Sequence, residues 1–265
     1  MNRVVSAIKS GFEEKALSIL KGIDCDLSNK NYSKLVELTF ELDAAKILDW
    51  LLNSSCHRFD LKNIEWYSEF DNALIKGHLE IVRLLILDKR VDPSDVDNYA
   101  IRCASTKGHL EIVKFLLSEK RVDPSDFDNF AIKHASRYGH LKIVKLLLQD
   151  KRVDPSAENN YAIRCASENG RLESIKLLLQ DKRVDPSALI NSAIRFASQN
   201  GHTEVVKLLL QDERVDPSDF DNHAIKSASH IAITSASHKA IASASHKGYS
   251  EIVKLLEDAG CKLDP

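Results

Sequence analysis

The chain has 265 residues, 43% of them hydrophobic and 29% charged, which supplies a buried core and excludes the composition of a disordered chain. Lys and Arg number 37 against 39 Asp and Glu, so the formal charge of −2 excludes the global basic signature of a nucleic-acid binder. Five cysteines (Cys25, Cys56, Cys103, Cys165 and Cys261) form no CxxC pair and argue against a disulfide framework or zinc ribbon, and no apolar run approaches the roughly 18–20 residues of a membrane span.

From the start of the chain, Met1 to Lys15 is charged and interrupted, without the apolar core of a signal peptide. With the cysteine usage this predicts a protein of a reducing compartment, cytoplasmic with a nuclear location open, and not secreted. Further along, Arg90-Val91-Asp92-Pro93-Ser94 recurs from Arg121, Arg152, Arg183 and Arg214, each time after 31 residues. Gly77, Gly108, Gly139, Gly170 and Gly201 keep the same step, so whole units repeat. A fixed period of this size predicts stacked supersecondary units.

In the unit from Asp126 to Ser156, Asn129 reads as an N-cap, Phe130 to Ser136 as a short helix, and Gly139 as its left-handed stop. After His140, the apolar residues Leu141, Val144, Leu147 and Leu148 have helical spacing, widened by Ile143 and Leu146. Pro155 lies beyond, in a polar connector. Neither helix buries its apolar face alone, so the units must stack. Gly201 to Gly248 is 47 residues, and the excess is an eight-residue phrase that starts at Ala224, Ala232 and Ala240. As one helix, this insertion at about 224–247 adds about 24 Å at 1.5 Å per residue; a frayed or folded-back excursion is the other reading.

Gly108-His109-Leu110-Glu111-Ile112-Val113-Lys114-Phe115-Leu116-Leu117 resembles the second helix of the ankyrin repeat, and Ala104-Ser105 stands where the first helix carries paired small residues. Ala44 to Leu52, and Gly11 with Lys15 to Leu20, resemble further second helices, giving eight units. The usual T-P-L-H opening is here Tyr99-Ala100-Ile101-Arg102, and the units are 31 residues against the usual 33, so the hairpin finger is shortened or replaced by a simple turn. The expected fold is an all-α, ankyrin-type helix-turn-helix solenoid with short connectors. Residues 1–63 are divergent capping repeats, 64–218 five regular repeats, and 219–265 the repeat with the insertion.

Catalytic signatures are absent: there is no GxGxxG, P-loop, HExxH or GxSxG, and the Ser, His, Asp and Cys residues sit at repeat-equivalent positions. No enzymatic role, metal or cofactor is expected. Cys103 and Cys165 share a register with His134 and Phe196, which reads as semi-buried packing, and His78, His109, His140 and His202 read as fixing the inter-helix turn. Arg102, Lys133, Arg164, Arg195 and Lys226 form a ladder at one register, either paired with a neighbouring unit's carboxylate or carbonyl or exposed as a basic stripe. Arg90, Arg121, Arg152, Arg183 and Arg214 are each followed two residues on by Asp and read as rungs pairing between units.

Two slots vary between copies. One holds Thr106-Lys107, Arg137-Tyr138, Glu168-Asn169 and Gln199-Asn200; the other holds Val96, Phe127, Glu158 and Phe220, with Leu189-Ile190 at the equivalent place. The ankyrin resemblance implies that these slots supply a concave recognition surface, with Phe127, Tyr138 and Phe220 as aromatic anchors. The expectation is a monomeric, non-enzymatic scaffold or adaptor that docks a protein partner, with no membrane role and nucleic acid disfavoured. The alternatives are a basic-ladder binder of anionic polymers, such as RNA or acidic protein tails, and a structural spacer. Removing one whole unit, residues 126–156, is predicted to leave a folded protein; loss of helical circular dichroism in that deletion would contradict the stack.

Overall fold

The structure is a computed structural model that describes residues 2–22, 29–53, 65–218, 223–229 and 243–261. Phe220 and residues 230–242 of the insertion lie outside the described residues. Among the described residues every regular element is helical. In chain order they are α1 (Asn2–Lys9), α2 (Glu13–Gly22), α3 (Asn29–Glu41), α4 (Ala45–Asn53), α5 (Trp66–Lys76), α6 (Leu79–Leu87), α7 (Asp95–Lys107) and α8 (Leu110–Ser118). There follow α9 (Asp126–Tyr138), α10 (Leu141–Gln149), α11 (Ala157–Glu168), α12 (Leu172–Leu179), α13 (Ala188–Gln199), α14 (Thr203–Leu209), α15 (223–229) and α16 (Ser243–Asp258). The helices form two compact units, one of Met1–Ala104 with Glu111–Val122, the other of Ser105–Leu110 with Asp123–Pro265.

Within each unit, consecutive helices pair and the pairs stack like on like. In the first unit α1 packs on α3 and α3 on α5, while α2 packs on α4 and α4 on α6. In the second, α9 packs on α11 and α11 on α13, with α10, α12, α14 and α16 stacked in the other layer. The first helices meet through small residues: Ala131, Ile132 and Ala135 are buried, as are Ala162, Ile163 and Ala166, and Ala193, Ile194 and Ala197. Short side chains let the helices approach closely, while Ile143, Val144 and Leu147 of α10 fill the second layer. The observed stripe on α10 is therefore narrower than the sequence suggests: Leu141 is exposed and Leu146 and Leu148 are half-buried. The connector valines, Val91, Val122, Val153 and Val184, are all buried, which anchors the connector to the stack.

The connector does not form a two-stranded finger. Instead Val96-Asp97-Asn98, Phe127-Asp128-Asn129, Glu158-Asn159-Asn160 and Leu189-Ile190-Asn191 each make one left-handed turn, with φ between 50° and 61°. The regular right-handed helix begins only after each turn. Left-handed backbone costs roughly 1–2 kcal/mol per residue, least for Asn and Asp. The third residue of each turn is accordingly Asn, and it is buried. The sequence reads Asn129 as the N-cap of its own helix, but its side-chain oxygen is bonded to the next connector instead. Asn129 Oδ1 accepts the backbone N–H of Asp154 at 2.7 Å, Asn160 that of Asp185 at 2.7 Å, and Asn191 that of Asp216 at 2.9 Å. Each turn is thereby locked to the next connector. There Asp154, Asp185 and Asp216 in turn accept the amide and hydroxyl of Ser156, Ser187 and Ser218.

At the middle position of the turn, Asp97, Asp128 and Asn159 suit left-handed backbone, whereas Ile190, with φ 59°, is β-branched and half out in solvent. Ile190→Asn is expected to stabilise the protein by about 1 kcal/mol, raising Tm by roughly 2–4 °C. A fall in Tm in thermal unfolding would show that the isoleucine side chain contributes more than the strain it imposes.

Candidate protein-binding surface

Each repeat of the second unit presents two variable places, and the backbone beneath both is fixed by the neighbouring repeat or by its own helix. At the inter-helix turn, His140 Nε2 lies 2.9 Å from the carbonyl oxygen of Thr106, and His202 Nε2 is 2.9 Å from that of Glu168. Since a carbonyl only accepts, Nε2 carries the proton in both rings. The same joint is made by Arg171 Nε to the Arg137 carbonyl at 3.1 Å and by the Tyr249 hydroxyl to the Gln199 carbonyl at 3.1 Å. These side chains therefore join repeat to repeat, beyond shaping the turn of their own hairpin. They lie so close over the preceding turn that a Cβ on Gly108 or Gly170 would come within 2.6 or 2.7 Å of the imidazole of His140 or His202, and both glycines have positive φ.

With those carbonyls occupied, the side chains of the slot are left at the surface. Lys107, Tyr138, Glu168, Gln199 and Asn200 are exposed, and Thr106, Arg137 and Asn169 half-buried. Two of these are turned inward chemically: the Asn169 and Asn200 amides donate to the Cys165 and Phe196 carbonyls at 2.8 Å, closing the ends of α11 and α13. At the left-handed turn, Phe127 is 53% exposed, Leu189 48% and Ile190 49%, because the first two residues of the turn point away from the stack. Glu158 occupies the same place and pairs at 2.9 Å with Lys133, whose side chain is 6% exposed. In the first unit Val96 is 73% exposed at the equivalent turn.

On α9 the two places are bridged by rings. Phe127 meets Phe130 edge-on at 5.8 Å, Phe130 stacks on His134 at 3.7 Å, His134 neighbours Tyr138 at 6.1 Å, and Tyr138 neighbours His140 at 6.2 Å. Phe130 and His134 are half-buried, in keeping with the semi-buried packing register that the sequence assigns to His134. The i, i+3, i+4 spacing of aromatic residues from 127 to 138 is the signal that marks the run of rings. Cys103 and Cys165 themselves are buried.

The basic ladder has no single environment. Arg102 donates from Nε and Nη2 to the carbonyls of Asp97 and Val96 at 2.8 and 2.9 Å, and Arg164 to those of Asn159 and Glu158 at 3.0 and 3.2 Å. Both guanidinium groups thus clamp the left-handed turn of their own repeat, and each also lies over a tyrosine, Tyr99 or Tyr161. Lys133 is buried, and Arg195 and Lys226 are half-buried. In the second ladder, Arg121 reaches Asp92 at 3.5 Å across repeats of the first unit, as a rung. Elsewhere the partner is the aspartate two residues before: Arg90 donates to Asp88 in the first unit, and in the second Arg152 grips Asp150, Arg183 grips Asp181 and Arg214 grips Asp212, each with two nitrogens. The third nitrogen crosses to the previous repeat, Arg183 to the Val153 carbonyl at 2.7 Å and Arg214 to that of Val184 at 2.9 Å.

Burial pushes the Cys165 thiol up and the Cys261 thiol to about 11, so both stay protonated at neutral pH and are poor nucleophiles. Among the described residues no group of three His, Cys, Asp or Glu side chains is placed to hold a metal ion, and no helix is long and apolar enough to cross a membrane.

Repeated helix-turn-helix units, joined side by side in the second unit through equivalent bonds, define a helical repeat protein. The family model for ankyrin repeats (three copies) matches residues 70–159, 101–190 and 163–265, and the chain belongs to the ankyrin repeat family. Ankyrin repeats are in general protein–protein interaction modules and typically non-catalytic. No curated protein matches the chain.

The paired arginines hold the Asp150, Asp181 and Asp212 carboxyls below the usual range, and the Ser218 hydroxyl and amide do so for Asp216. A carboxyl depressed by folding stabilises the fold above its unfolded pKa and loses that contribution as the pH falls through its folded value. These carboxyls are therefore expected to contribute a constant stability above about pH 5, and resistance to urea is expected to fall below about pH 4. The variant Asp181→Asn/Asp212→Asn should lose less stability over that interval than the wild type. An equal loss in both would place the acid sensitivity elsewhere.

Proposed function

We propose that the second unit docks a protein partner on the face formed by its left-handed turns and inter-helix turns, and that the protein is a non-catalytic scaffold or adaptor. The observation that carries this reading is the run of rings from Phe127 through Phe130, His134 and Tyr138 to His140, exposed at Phe127 and Tyr138 and continuous between them. Aromatic side chains bury much area for little lost freedom, which suits them as anchors. Lys107, Arg137, Glu158, Glu168 and Gln199 supply a polar rim of both signs, with Thr106, Asn169 and Asn200 between. A surface whose backbone is already bonded on both sides orders little further chain on binding, which lowers the entropic cost of association. Val96 extends the same chemistry to the first unit, and Phe220 belongs to the same set by sequence.

The test is affinity capture from a nuclease-treated cell extract at two salt concentrations, with wild type and Phe127→Ser/Tyr138→Ser compared. A discrete protein held at high salt by the wild type and lost from the variant is expected, with an affinity reduced by at least about tenfold. Capture of only salt-labile, nuclease-sensitive material would overturn the reading in favour of anion binding through Arg102, Lys133, Arg164, Arg195 and Lys226.

A further inference from the structure

In the first unit α1 and α2 form a hairpin whose charges are segregated. Its two carboxylates both turn towards α4: Glu13 Oε1 accepts the backbone N–H groups of Lys46 at 2.7 Å and Ile47 at 3.3 Å, and Glu14 pairs with the Lys46 ammonium. Glu13 thereby satisfies amides at the start of α4 that no helical carbonyl reaches. The hairpin also presents an open groove of about 760 Å³, lined by Arg3, Ser6, Ala7 and Ser10 on one side and Phe12, Lys15 and Ile19 on the other. No carboxylate lines it, and among the described residues Arg3 and Lys15 enter no ion pair. Phe12 is 62% exposed at its rim.

We infer that this groove binds a short acidic peptide segment that carries an apolar anchor. The pairing follows from charge and shape. Two cations that pair with no carboxylate among the described residues favour a segment bearing Asp or Glu on either side of one apolar residue, which packs on Phe12, Ala7 and Ile19. Helix α1, of eight residues, is about 12 Å long, room for two turns of helix or about four extended residues. A single-stranded nucleic acid would need cations continued along its track, whereas only two cations line this groove. A planar anionic bilayer would not enter a groove. The groove belongs to the first unit and shares no residue with the face proposed for the second, so either reading stands or falls without the other.

The experiment pans a displayed library of random peptides, about ten residues long, on the full-length protein, with counter-selection on Arg3→Glu/Lys15→Glu. Peptides that bind the wild type and not the double variant should be enriched in Asp and Glu around Leu, Phe or Trp. Fluorescence anisotropy with the best of them should show about tenfold weaker binding to the double variant and to Phe12→Ser, and weaker binding at high salt. Circular dichroism matching the wild type shows that the variants are folded, as expected for exposed positions. The inference is overturned if no peptide discriminates between the two proteins, or if the discriminating peptides lack carboxylates. It is equally overturned if oligouridine or phosphatidylserine vesicles bind more tightly than any peptide in a manner that needs Arg3 and Lys15.

Discussion

The asparagine that ends each left-handed turn sets the geometry on which the second unit depends. A hairpin of two short helices leaves one side of each helix apolar, and burial of residues such as Ile132, Ile163 and Ile194 between neighbours drives them together. Apolar contact is non-directional, however, and would tolerate a hairpin sliding along its neighbour. The bond from Asn129, Asn160 or Asn191 to the backbone of the following connector removes that freedom, because a buried amide displaced from its partner costs about 1–3 kcal/mol. The bonds from His140, Arg171, His202 and Tyr249 fix the opposite end of the first helices in the same way. Stability thus comes chiefly from the Ala, Ile, Val and Leu core, and alignment from a few polar atoms.

The variable surface is a by-product of that alignment. Bringing the asparagine inward through left-handed backbone turns the two residues before it outward. The register is therefore exposed whatever occupies it, Phe127, Glu158 or Leu189. Its carbonyls would otherwise be left to water, and Arg102 and Arg164 cover them. One arrangement both holds the repeats in line and presents a position where any side chain is accommodated, which is what a recognition surface needs in order to diversify.

The helices, their order and the repeat period were legible in the sequence because apolar spacing and glycine placement report directly on burial and helix termination. The turn was less so. Asn and Asp at 97, 98, 128, 129, 159 and 160 mark unusual backbone, but the same residues mark N-caps, and Leu189-Ile190 adopts the turn with no such signal. There the stack imposes a conformation that local preference opposes. The aspartate that each second-unit arginine grips was also hidden, since Asp stands two residues away on either side and only the fold selects between them. Ser105, Ser136, Ser167 and Ser198 occupy the place of a second small residue, and their buried hydroxyls have no hydrogen-bond partner among the described residues. The sequence shows the substitution at these sites but not its cost in desolvation.

The joints of the second unit are also nearly interchangeable. The donor from one connector or turn finds the same acceptor, at almost the same distance, on every repeat. The bonding is therefore specific for a repeat as a type and blind to its number in the chain. While the chain is still partly open, a hairpin of one molecule can be accepted by the matching edge of another, giving swapped or frame-shifted assemblies made from native contacts. What separates correct from shifted stacking is the small set of non-identical residues, Arg171 and Tyr249 in place of histidine and the unequal residues of the exposed turns. Sequence divergence between copies then acts as an address within the chain.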